Sequence, residues 1–220
     1  MSYSNARKGI KKVYCAQLFT IIATLFSGGF GLLLVVVEFF FKDDDAVVNL
    51  LFGAAIIFTM LLYVAALALS SVIGIVGYAQ ASRDEPEFKK AMFCALAVGV
   101  LTLFGFFFQI PNGMISTILS SAGAIVEMFV MIYVFCGLVR ICENFGRHDM
   151  TKRAWRVLNL LVSIYIVSAV NALVIRIFEL SSHAQSVSVL VGAIDLTLNI
   201  IQYILYMKYL RRVLRMIPKD

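Results

Sequence analysis

The chain alternates long apolar runs with short polar joints, and each run is long enough to cross a membrane. Six segments qualify: 13–41, 46–79, 91–110, 115–139, 157–178 and 187–209. A helix rises about 1.5 Å per residue, so about 20 apolar residues match a hydrocarbon core roughly 30 Å thick. No water reaches a backbone N–H or C=O inside lipid, so each segment must satisfy its own polar groups, as a helix does. The expected fold is therefore all-α, a bundle of six transmembrane helices. Every joint is short, and residues 1–220 read as one membrane domain. Composition agrees. Hydrophobic residues make up 61% of the chain and mean hydropathy is +0.93, against about 45–50% apolar residues in soluble domains.

Charge orients the bundle. Arg7, Lys8, Lys11 and Lys12 precede the first segment, and Arg83, Lys89 and Lys90 separate the second from the third. Arg140, Arg147, Lys152, Arg153 and Arg156 lie around the fourth joint. Lys208, Arg211, Arg212, Arg215 and Lys219 lie at and beyond the end of the last segment. The intervening joints hold only Lys42 and Arg176. Lys and Arg are retained on the cytoplasmic side, so both termini are expected there, in a multi-pass protein of the cell membrane. That assignment accounts for the net charge of +6, and no nucleic-acid partner is needed to explain it. The first run is too long for the core of a cleaved signal peptide, about 7–15 residues, so it reads as a first transmembrane helix. Cys15, Cys94, Cys136 and Cys142 fall at inner helix ends, where a reducing cytoplasm argues against disulfides.

The six segments group as three tandem hairpins. Each opens on paired cations followed by an aromatic ring: Lys11-Lys12 with Tyr14, Lys89-Lys90 with Phe93, Lys152-Arg153 with Trp155. The returning segments share a register, with Gly53-Ala54, Gly123-Ala124 and Gly192-Ala193 followed by Tyr63, Tyr133 and Tyr203. This suggests an internal repeat of one hairpin. Lys42–Asp45 and Pro111-Asn112-Gly113 read as outer turns. Asp84 is the expected cap of the third helix, with Pro86 in its first turn, and Thr151 the expected cap of the fifth. Three hairpins is also the layout of mitochondrial carriers. Their Pro-x-Asp-x-x-Lys/Arg signature is absent from the odd-numbered segments, so nothing is carried over from that family.

The strongest local signal is a polar stripe in the sixth segment. Ser188, Gly192, Asp195, Asn199, Gln202 and Tyr206 recur at alternating steps of four and three, one face of a helix. Facing lipid, Asp195 alone would cost about 2.5–3.5 kcal/mol, so the stripe must face protein. The fourth segment carries Ser116, Ser120, Gly123 and Glu127 at similar steps, with Glu127 near the membrane midplane. Asn171 in the fifth segment should stand level with Asp195 across a short hairpin. Ala66, Ser70 and Gly74 in the second read as a close-approach seam between helices. Ser27-Gly28-Gly29-Phe30-Gly31 is a candidate break in the first helix.

An ionisable residue inside a membrane is a functional-site candidate by default. Glu127, Asp195, Asn199, Gln202 and Asn171 are therefore the candidate substrate- or ion-binding residues. No metal site, cofactor or catalytic motif is expected. The two histidines, His148 and His183, lie in opposite joints, which removes paired-histidine haem, a zinc site and a Ser–His dyad. Two readings follow. One is a small solute- or ion-handling protein or transporter subunit with a polar intramembrane pathway. The other is a membrane adaptor whose polar faces only join helices, its partner a second membrane protein or another copy of the chain.

Overall fold

A computed structural model describes residues 3–40, 46–108, 113–178 and 184–218. All regular structure among them is helical: α1 Ser4–Phe40, α2 Ala46–Ala81, α3 Glu87–Phe108, α4 Gly113–Asn144, α5 His148–Phe178 and α6 Ala184–Met216. Three stretches of the described residues are apolar and long enough to cross a membrane: Ser4–Phe30, Gly53–Ala81 and Ser121–Asn144. Large apolar side chains such as Phe26, Phe58, Met60, Leu61, Leu103 and Ile166 are exposed. In a membrane protein lipid covers such a surface, and in water it would be an aggregation hazard.

The helices overrun the apolar segments at one end. α1 starts at Ser4 rather than Val13, α5 at His148 rather than Val157, and α6 runs to Met216 rather than Tyr209. Hydropathy marks only the length suited to hydrocarbon. Lys, Arg and Glu are good helix formers, so the helices continue into polar layers.

Two expected caps are corrected. Asp84 does not cap α3. Its carboxylate accepts from the Ala6 backbone N–H at 2.7 Å and the Asn5 amide at 3.0 Å, capping α1 across 78 residues of sequence. An unpaired N–H at a helix start attracts a carboxylate wherever it comes from, and the tertiary fold brings this one. Thr151 does not cap α5, which begins at His148; its hydroxyl is buried without a protein partner. The sharp stop comes earlier, at Gly146, the one described glycine with positive φ (65°). Gly146 N–H bonds Glu143 C=O at 2.8 Å and Arg147 N–H bonds Cys142 C=O at 2.9 Å, the paired closure of a Schellman motif. Nor does the glycine cluster at 27–31 break α1, which is continuous through it. The turns at 42–45 and 111–112 lie outside the described residues.

α1 and α2 run antiparallel, as their contacts show. Gly9 meets Gly77 and Ala81, while the Ser70 hydroxyl bonds Ala16 C=O at 2.8 Å and lies 2.6 Å from the Thr20 hydroxyl. Ser70 and Gly74 thus form the close seam expected of them. Each helix packs on the next along the chain, and α6 returns to α1, which closes a ring. The buried core fills the end of that ring where the basic joints meet. Ile10, Val13, Ala81, Phe88, Ala91, Phe135, Leu138, Leu158, Leu161, Leu210 and Val213 pack together there.

Candidate functional site

Toward the other end the same inward faces stop touching. On α4, Val134 and Val130 are buried, and Glu127 lies one turn beyond them. On α6, Val213, Leu210 and Tyr206 lead to Gln202; on α5, Leu158 and Leu161 lead to Tyr165. Each step is three or four residues, so side chains that seal the core and those beyond it share one helix face. The space left between them is a cavity of about 370 Å³ lined from all six helices.

Its polar lining is specific. Glu127 comes from α4, Tyr63 and Tyr78 from α2, Tyr165 from α5, and Gln202, Tyr203 and Tyr206 from α6. Gln17, Thr20 and the Ser70 seam add hydroxyl and amide groups from α1 and α2. The Tyr165 hydroxyl is the hydrogen-bond partner of the Glu127 carboxylate, and the Gln202 amide of Tyr165. Tyr206 donates to Tyr78 at the floor of the cavity. Glu127 lines the space and keeps accessible surface. It is the one acidic residue among the described lining residues, which include no Lys, Arg or His. The arrangement presents a single carboxyl group, ringed by phenols, to whatever enters.

Of the five sequence-predicted site residues, the cavity gathers Glu127 and Gln202. Gln202 is 4% exposed, whereas Thr197 on the opposite face of α6 is exposed, so the stripe faces protein as expected at this level. Asn199 is half-buried on α6 and is not part of the lining. Asn171 is also outside it, and its side-chain nitrogen is buried without a protein partner. Asp195 falls within α6, but its side chain, and with it the proposed level pairing with Asn171, lies outside the described residues.

Sequence reasoning missed the tyrosines as a group. Tyr63 and Tyr203 stood out only as repeat markers, and the third marker, Tyr133, is elsewhere, with the Lys90 ammonium 5.6 Å from its ring. A signal was present in α2, where Tyr63, Leu67, Ser70, Gly74 and Tyr78 share one face. Comparison with known protein families, curated proteins and solved structures finds no match to this chain.

A second polar cluster lies at the sealed end. Arg140 on α4 bridges Glu85 at 3.3 Å and Glu87 at 3.2 Å, and Lys90 pairs with Glu87 at 3.0 Å. Both carboxylates are nearly buried. Each is charge-paired, so this cluster is a clamp between α4 and the α2–α3 joint rather than a vacant site.

Proposed function

We propose that the chain is a six-span membrane protein of three tandem hairpins with both termini cytoplasmic. We infer that it handles a small solute or ion at the Glu127 cavity, alone or as the substrate-binding subunit of a transporter. The observation that carries this reading is a cavity lined from every helix with one accessible carboxylate inside it. Polar groups that only join helices are packed against partners, as Thr20 and Ser70 are. A carboxyl group facing a space of about 370 Å³ is not needed for that purpose. The volume falls at the small end of ligand pockets, about 300–1,000 Å³, which suits a compact solute.

The topology is supported by contacts that bring the basic joints to one end. Asn5 pairs with Asp84, Tyr3 with Asn144, Arg140 with Glu85, and Tyr209 with the Met150 carbonyl. The positive-inside rule makes that end cytoplasmic.

The test is solute and proton flux in liposomes holding the full chain, compared with Glu127→Gln. This change keeps the shape and most hydrogen bonding but removes the charge. The expected outcome is a folded variant with flux reduced at least about tenfold, an effect of about 1.4 kcal/mol or more. Equal flux from the two proteins would remove Glu127 from the site, and no flux from either would leave the adaptor reading.

A further inference from the structure

The chain has 9 tyrosines and 18 phenylalanines. Five of those tyrosines line the Glu127 cavity, and no phenylalanine is among the described lining residues. Filling space in a membrane interior does not require this choice, because a phenylalanine ring fills it without a hydroxyl to satisfy. Two of the hydroxyls are committed within the protein: Tyr165 to Glu127, and Tyr206 to Tyr78. Tyr203 has no such commitment among the contacts described above. It lines the space within electrostatic range of both Glu127 and Tyr63.

Chemistry restricts what suits such a lining. An anion would meet a carboxyl group with no cationic group among the described lining residues to offset it. A neutral sugar-like solute would make little use of ring faces. An alkali ion would be held by oxygens alone and would leave the ring faces of the lining unused. A cation with apolar substituents uses both components, since its charge is attracted to the carboxylate and to the negative faces of aromatic rings.

The geometry points to a binding site for a small organic cation of the alkylammonium type, held by Glu127 and flanked by Tyr63, Tyr165 and Tyr203 above the buried floor of Tyr78 and Tyr206. This deepens the solute-handling reading and rests on it. Glu127 supplies the countercharge. Tyr63, Tyr165 and Tyr203, which keep accessible surface, replace the loosely held hydration shell of the cation with aromatic rings. The tight floor at Tyr78, Val130 and Tyr206 limits the ligand's size.

The experiment is equilibrium binding of radiolabelled choline to the purified full chain in nanodiscs. The competitors are tetramethylammonium, sodium, and dimethylbutanol, the uncharged isostere with carbon in place of nitrogen. Tetramethylammonium is expected to displace choline, whereas sodium and dimethylbutanol at equal concentration are not. Glu127→Gln should weaken binding by at least about tenfold. Tyr203→Leu should weaken it roughly five- to thirtyfold, and Tyr203→Phe, which keeps the ring, should stay within about threefold. Thr197→Leu, on the opposite face of α6, should bind like the unaltered chain.

Equal displacement by dimethylbutanol, or by sodium, overturns the organic-cation assignment, as does an equal loss for Tyr203→Leu and Tyr203→Phe. The competitor series uses unaltered protein, so its outcome does not depend on any variant folding. Glu127-dependent flux of another solute without choline binding overturns this inference alone. Absence of both removes the cavity reading as well.

Discussion

At the scale of single residues, the carboxylates divide by what meets them. Asp84 receives two donors at the start of α1, and Glu85 and Glu87 receive Arg140 and Lys90. Glu127 meets a phenol and open space. The first three hold helices together, and the last faces the cavity. Asp84→Ala should therefore cost stability without touching the site. Loss of a capping carboxylate is worth about 1 kcal/mol, which for a chain of this size lowers the melting temperature by roughly 2–4 °C. Thermal unfolding in detergent would measure it, with ligand binding expected to be unchanged. Glu127 and Gln202 were legible in the sequence because an acid or amide in an apolar run is costly unless it faces protein. Apart from Tyr206, which belongs to the stripe, the tyrosines were not, because tyrosine also serves at membrane interfaces and in cores. Asn199 and Asn171 share the helix faces suggested by spacing but lie off the cavity, since a face is wide and spacing does not fix where its neighbours open apart.

At the scale of elements, the α1–α2 seam shows what pattern reading finds and where it stops. Ser70 and Gly74 were visible as small residues one turn apart. Their continuation at Gly77, and its partner Gly9, were not, because a close approach depends on both helices at once. A Cβ on Gly77 would fall 2.8 Å from the Gly9 carbonyl oxygen and 2.8 Å from Val13 Cγ2. The carbonyl belongs to a helix backbone and cannot yield without moving α1. Gly77→Val should therefore destabilise by about 1–3 kcal/mol, the usual range for overpacking. Gly99 on α3 has nothing within 4 Å of the equivalent position, and Gly99→Val should change stability by less than about 0.5 kcal/mol. Parallel unfolding of the two variants decides the matter; equal tolerance would show that the seam is looser than its contacts indicate. Helix ends were the least legible feature. Hydropathy does not register the polar turns by which α1, α5 and α6 extend, and the Asp84 cap is supplied from 78 residues away.

At the scale of the whole molecule, the ring is filled at one end and hollow above it. In each helix the sealed and hollow portions follow in the same order: Val13 before Ala16 in α1, Tyr78 before Ala81 in reversed α2, Ala91 before Ala95 in α3. A pathway through the molecule would have to part this plug, and the Arg140 clamp with Glu85 and Glu87 lies at its outer rim. Which compartment the plug faces follows from charge alone, and that is where the whole arrangement is most exposed to test. Single cysteines replacing Arg83, His148 and Arg215, all exposed, in a background lacking the four native cysteines, should resist membrane-impermeant thiol reagents in intact cells. They should react once the membrane is opened. Cysteines replacing Asp44, Asn112 and His183 should react from outside. Labelling of position 148 in intact cells would invert the molecule. Glu127 would keep its cavity and its tyrosines, but the plug would then close the site from the exterior, and a solute would reach it from the cytoplasm.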